Sequence, residues 1–226
     1  TPWTIPVNQA LAYGPEVEYA IFTVEGRRYL VAKQLVQDFY LRIGFTKVDG
    51  VIQDQLGQKP FEITGKLIKG SQLAGTIARH PMHHLGGFFA APRPFLPGDF
   101  VTTESGTGLV HMAPDHGEDD FLLCKEHGIA PVFAVEGDGK YRADWAWLGG
   151  QGPVVPYNPK GVDKLNIPEG SVCSDLQAAG ALLSASTYPH SYPHSWRSKA
   201  KVIFRCTPQW FVPMDKEITP PPPPAA

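Results

Sequence analysis

Glycine and proline set the limits on this chain, with 23 of each among 226 residues. Proline lacks an amide hydrogen and fixes φ, while glycine is the residue of tight turns and helix ends, so both interrupt regular structure. Spread along the sequence, they punctuate many short segments. That favours a β-rich architecture with a few helices over a bundle of long ones. The length allows one large domain, or one domain plus an extension, with a substantial core. Hydrophobic content of 42% and charged content of 19% fit an ordinary soluble globular protein. The formal net charge of −2 argues against a broad electrostatic grip on nucleic acid, but leaves room for a local groove holding one RNA end.

The three cysteines, Cys124, Cys173 and Cys206, form no CxxC pair. That disfavours a zinc ribbon and points to reduced thiols in a cytosolic setting. The opening TPWTIPVNQALAYGPE has no basic leader followed by an apolar run, and no segment is apolar for long enough to span a bilayer. The sequence does not start with methionine, so it reads as a processed product or a piece of a longer protein.

Tyr19–Val24, the Glu25-Gly26 pair and Arg27–Ala32 predict a hairpin with a tight turn. Leu35, Val36, Phe39, Tyr40 and Ile43 share one helical face, with Gly44 placed to end that helix. Strands are expected around Gly65–Lys69, Asp99–Thr103 and Leu109–His111, with Glu104–Thr107 as a turn. Asp115–Glu126 reads as a helix closed by Gly128, and Ser174 as the cap of another through Asp175–Leu183. From Tyr188 the texture changes. YPHSYPHSW is a short tandem repeat expected to be extended, KVIFRC is a strand candidate, and ITPPPPPAA is a polyproline tail.

One stretch concentrates the polar chemistry. GTGLVHMAPDHGEDDF, Gly106 to Phe121, holds histidines and acidic residues between a short apolar strand and a helix start. Carboxylates in a first helical turn oppose the positive end of the dipole, which by itself accounts for Asp119 or Asp120. It does not account for His111, nor for Gly106 and Gly108, which permit close backbone approach or positive φ. A metal set of His111, His116, Asp119 and Asp120 is disfavoured, because the two histidines are five positions apart and not four. His80, His83 and His84 in RHPMHHLGG read as a solvated loop. No GxSxG elbow, Walker loop or GxGxxG is present. Thr1, Trp3, Thr4 and Asn8 alone would make only an extended edge segment.

TPWTIPVNQALA, GTGLVHMAPDHGEDDF and HSYPHSWRSKAKVIFRCTPQWF together resemble three successive blocks of isoleucyl-tRNA synthetase, which bracket its inserted editing domain, connective peptide 1. The resemblance covers nearly the whole chain. Valyl and leucyl relatives share the GTG–V core but differ at His111, at DHG and at TPW. The resemblance implies an α+β fold, with a closed or nearly closed β-barrel-like core and peripheral helices. It implies that residues 1–187 would be the editing domain, and 188–226 a return segment toward a missing catalytic core plus the Pro-rich tail. The implied activity is hydrolysis of valine from mischarged valyl-tRNA(Ile), and of valyl-adenylate, by a positioned water, without a metal or a covalent intermediate. Such editing is needed because a pocket gains only about 1–3 kcal/mol from one methylene, a general figure for which this enzyme family is the standard illustration.

In that resemblance Asp120 matches the aspartate that holds the substrate ammonium group, a charge-assisted bond that acts by positioning. His111 matches the histidine whose ring excludes isoleucine. Thr1 matches the end of a threonine-rich strand lining the site, with Trp3 and Asn8 nearby. Gly106, Thr107 and Gly108 would let the adenosine approach. The chain departs from the family in two places: the family's threonine run normally begins before the residue matching Thr1, and Asp115 stands where many relatives have glycine. Partners would be the valine-bearing 3′ end of tRNA(Ile) and the rest of the synthetase chain, with no membrane, in the cytoplasm. No cofactor is implied, since ATP and Mg²⁺ belong to the catalytic core, whose HIGH-like and KMSKS-like sequences are missing here. Two alternatives remain open from the residues: a module that only binds the aminoacylated RNA end, and a metal-dependent hydrolase using His111 and His116.

Overall fold

The computed structural model describes residues 1–54, 57, 66–157, 163–189 and 191–215. After a 3-10 helix over Pro2–Val7 come β1 (Ala10–Tyr13), β2 (Glu18–Val24), β3 (Arg27–Ala32), α1 (Val36–Arg42), β4 (Thr46–Val48) and β5 (Val51–Gln53). Then come β6 (Leu67–Lys69), β7 (Ile77–Ala78), β8 (Arg93–Pro97), β9 (Leu109–Met112), α2 (Glu118–Glu126) and α3 (Ser171–Ala178). The fold is α+β, with several small sheets and few helices, none of the described ones long and apolar enough to cross a membrane.

Three sheets form. One has the order β7-β8-β1-β9, with β1 parallel to β8 and antiparallel to β9. The second has the order β3-β2-β6, and the third pairs β4 with β5. Among the described residues none closes on itself, so the barrel expected from the resemblance is not closed here. Closure needs tilted strands with a continuous stagger. Here glycine and proline keep the strands short, and Pro94 and Pro97 remove ladder donors from β8. Hydrogen bonds join the first two sheets, among them Gly14 N–H to the Tyr19 hydroxyl at 3.0 Å. Ala32 N–H donates to Thr107 O at 2.8 Å, and the Tyr19 hydroxyl donates to Gly108 O at 2.6 Å.

The β2–β3 hairpin forms as its sequence predicts, with Glu25 and Gly26 at φ of 50° and 75° in the turn. Its apolar face packs Phe22 against Phe39 and Tyr40 of α1. Other local expectations move. The strand expected at Asp99–Thr103 lies earlier, at Arg93–Pro97, where register with β1 is available; Val101 N–H instead closes a turn on Gly98 O. The third helix starts at Ser171 with Gly170 as N-cap, so Ser174 lies inside it and does not cap it. Burial of Val172, Cys173 and Leu176 on one face decides that start. KVIFRC makes only an isolated bridge, His194 with Lys201, and otherwise runs without sheet partners. Gly65, His190 and the ITPPPPPAA tail lie outside the described residues.

Two of the cores position the functional residues. Trp3, Val7, Phe89, Tyr141, Trp147 and Val172 belong to one, which fixes the N-terminal 3-10 helix, with Tyr141 donating its hydroxyl to Trp3 O. Met112, Leu123 and Cys124 belong to another, which seats α2 beneath β9.

Candidate functional site

β1 and β9 are adjacent, with Leu11 opposite His111 and Ala10 opposite Met112. This pairing brings the Thr1–Asn8 segment over the side chain of His111. Asn8 is buried at 7% exposure and donates through Nδ2 to Ala10 O at 2.9 Å and to His111 Nδ1 at 2.7 Å. The reverse amide orientation would set two oxygens face to face. With Nδ1 accepting, Nε2–H donates to Thr4 Oγ1 at 2.9 Å, and Thr4 passes its own hydroxyl hydrogen to Thr1 O at 2.9 Å. The relay Asn8 → His111 → Thr4 → Thr1 therefore fixes the tautomer and the plane of the ring. Burial first, then the nearby N-terminal ammonium, His80 and His116, lower the pKa of His111 to about 4. The ring is neutral near pH 7 and has neither nitrogen free for proton transfer.

From His111 the chain reaches α2 in a tight connection. Ala113 N–H donates to Asp120 Oδ2 at 2.7 Å. Gly117, the N-cap of α2, lies beneath this carboxylate; a Cβ there would stand 2.8 Å from Asp120 Cγ. Burial raises the pKa of Asp120, opposed by the Ala113 N–H and assisted by the neighbouring charge of Asp119. Asp119 itself is exposed. Asp115 does not open the helix, which was expected over Asp115–Glu126. It is 2% exposed, and its Oδ1 and Oδ2 accept Phe133 N–H at 2.7 Å and Val132 N–H at 3.0 Å. The helix accordingly begins three residues later, at Glu118.

The three residues before β9 divide their tasks. Gly106 sits in an open turn at φ 81°, with nothing near its missing Cβ. Thr107 accepts Leu109 N–H at 3.4 Å through its hydroxyl and Ala32 N–H through its carbonyl. Gly108, at φ 75°, is packed so closely that a Cβ would meet Ala32 Cβ at 2.4 Å. Its close approach is thus to the protein's own β3. Trp3 is buried at 3% exposure, donates its backbone N–H to Asn166 Oδ1 at 3.0 Å and sets its ring edge-on to His116, with centroids 4.5 Å apart. It acts as a wall behind the site.

The structure therefore brings together Thr1, Asn8, His111 and, through Ala113, Asp120. Thr1, Trp3 and Ile5 also border a cavity of about 720 Å³ against α3 and residues 182–188, which His111 and Asp120 do not line. Thr4, to which the sequence alone assigns no role, completes the His111 relay. His80, expected in a solvated loop, is 1% exposed. Its Nε2–H donates to Ile5 O at 2.9 Å, its Nδ1 accepts Met82 N–H at 3.0 Å, and burial lowers its pKa to about 4. His83 and His84 are exposed. The four candidates of the metal alternative are dispersed. His116 donates to Phe204 O at 2.8 Å, His111 is bonded to Asn8 and Thr4, Asp120 accepts from Ala113, and Asp119 faces solvent. Among the described residues no three His, Cys, Asp or Glu side chains converge.

No protein-family profile matches the chain. Over 218 residues, 96% of its length, it is 55% identical to an isoleucine–tRNA ligase of Zymomonas mobilis. It is 41% identical over 96% of its length to the isoleucine–tRNA ligase of Gluconobacter oxydans, and 37% identical to that of Caulobacter vibrioides. It spans about a fifth of the length of these curated relatives, 21% for the first and 22% for the other two. A solved structure described as "The crystal structure of GlLeuRS-CP1" aligns with 62% of this chain and 53% of its own, at 15% identity and a TM-score of 0.44.

Proposed function

From the premise that this chain is related over nearly its whole length to a segment of the isoleucine–tRNA ligases, we propose that it is an editing domain hydrolysing valyl-tRNA(Ile). The observation that carries the reading is the His111 relay. An imidazole held at both nitrogens, neutral near pH 7 and backed by buried Asn8 is a rigid boundary, which is what exclusion by shape requires.

In this reading the α-ammonium group of the substrate donates to the Asp120 carboxylate, which Ala113 N–H and the bare face of Gly117 hold in place. The amino-acid side chain then points to the His111 ring: valine fits, and isoleucine meets the ring with its extra methylene. A water oxygen bonds to the ester carbonyl carbon, the bond from that carbon to the ribose oxygen breaks, and the ribose oxygen takes up a proton. Free valine and uncharged tRNA leave. His111 has no free nitrogen with which to act as base, so the chain's contribution is orientation of the ester relative to water.

The test is deacylation of valyl-tRNA(Ile) by the native sequence and by Asp120→Ala. Loss of one charge-assisted contact is expected to lower the rate by about 100-fold or more. Equal rates for the two would remove Asp120 from the mechanism. Saturable binding of a non-hydrolysable valyl-adenosine analogue, with no cleavage of the ester, would instead make the chain a holder of the RNA end.

A further inference from the structure

The connection that carries Asp120 is held from outside by a second segment. Residues 203–206 cross Pro114–His116 and bond to it repeatedly. Cys206 N–H donates to Asp115 O at 3.1 Å, the Cys206 thiol to Pro114 O at 3.5 Å, and His116 Nδ1–H to Phe204 O at 2.8 Å. Arg205 donates to Val135 O at 3.3 Å, and Ile203 packs on the core that contains Trp3. The Phe204 side chain is 67% exposed, so the connection uses its carbonyl and not its ring.

From the inner side the Asp115 carboxylate grips the backbone of Val132 and Phe133, and Phe133 holds φ at 51°, in the left-handed region that an aromatic residue rarely adopts. Both sides converge on Ala113. His116 N–H donates to Ala113 O at 2.9 Å, while Ala113 N–H donates to Asp120. The backbone of Ala113 thus ties Asp120 on one side to His116 on the other.

We propose that residues 203–206 are a positioning strap for Asp120, docked through His116 and Cys206 so that Ala113 N–H stays aimed at the carboxylate. Its functional consequence rests on the reading of Asp120 as the group that holds substrate. His116 touches no substrate; it acts through Ala113. The strap is attached by backbone groups, the Arg205 guanidinium, the Cys206 thiol and the His116 imidazole, with Ile203 only partly buried, so it can lift without dismantling a core. When it lifts, the 113–116 connection loses its outer bonds and Asp120 is free to turn off Gly117.

The experiment tracks the Ala113 amide by ¹H–¹⁵N NMR and hydrogen exchange in the 226-residue chain. Alongside it, valyl-tRNA(Ile) deacylation is measured. His116→Ala removes the donor to Phe204, and Cys206→Pro removes the donor to Asp115 from the opposite side. In each, the Ala113 amide is expected to move upfield and to exchange about tenfold faster or more, with kcat falling more than KM rises. His116→Asn restores a donor near the Nδ1 position and should bring the Ala113 signal back. If Cys206→Pro does not fold, His116→Ala and its rescue decide the matter. An Ala113 amide unchanged in His116→Ala, or displaced there without recovery in His116→Asn, overturns the strap. Should the amide respond as expected in a chain that hydrolyses no valyl ester, the strap stands and the editing reading falls.

Discussion

His111 is informative because both of its ring nitrogens are committed. A general base needs a free lone pair and a pKa near the working pH. This imidazole has Nδ1 occupied by Asn8, Nε2–H directed at Thr4 and a pKa near 4. Shape is what remains for it to contribute. Truncation to alanine would remove the ring, while Asn8 keeps its bond to Ala10 O and the backbone stays in register with β1. His111→Ala is therefore expected to retain valyl-ester hydrolysis and to begin cleaving isoleucyl-tRNA(Ile), with the preference for valine collapsing to about tenfold or less. Parallel deacylation assays on the two esters measure this. Isoleucyl-tRNA left intact by a folded His111→Ala would exclude the steric role. The types of residue at this site were legible in the sequence, but their partners were not. Thr4 and His111 are 107 positions apart, and only the pairing of β1 with β9 puts a hydroxyl under that ring.

Elements whose determinants lie within a few residues were legible. The β2–β3 hairpin follows from a two-residue turn between alternating segments, and α1 from an apolar stripe with glycine behind it. Elements defined by distant partners were misplaced. β8 exists because β1 offers it a parallel edge, and α2 starts late because Asp115 is drawn into the backbone at Val132 and Phe133. Gly108 belongs to this second kind: the sequence suggested a close approach, and the neighbour proved to be β3. It is also where the two larger sheets meet, through Tyr19 on one side and Ala32 on the other. Alanine at this position would carry a left-handed φ and drive its Cβ to 2.4 Å from that of Ala32. Gly108→Ala is expected to cost about 2–4 kcal/mol, read as a lowered urea midpoint. Gly106→Ala shares the positive φ but meets no neighbour, and should cost about 1 kcal/mol. Equal losses at the two positions would show that backbone strain, and not the contact between sheets, sets the requirement.

Among the described residues, buried His80 and the partly buried His111 and His116 have their pKa lowered chiefly by desolvation, and each clamps the N-terminal segment or the connection below it. His80 donates to Ile5 O, His111 is bonded to Thr4 and Asn8, and His116 lies against Trp3. For His80 and His111 the pKa falls from 6.5 to about 4, and that of His116 is lowered as well. In each case the unfolded chain takes up a proton that the folded chain refuses. Stability is therefore full above pH 6.5 and, for His80 and His111, is lost as the pH falls toward 4, approaching about 1.4 kcal/mol per pH unit for each of these two inside that window. Asp120 works in the opposite sense, since a raised carboxyl pKa lets the folded state protonate first and so offsets part of the histidines' slope. The interval from about pH 6.5 to about pH 5 lies inside the window of His80 and His111. Urea unfolding across it should show the midpoint falling with pH. His80→Gln can still donate to Ile5 O through its amide but no longer titrates, so its profile should be flatter by one histidine's share. A slope identical to that of the native sequence would mean that His80 is not held neutral by the fold, and the acid sensitivity would have to be sought in His111 and His116 alone.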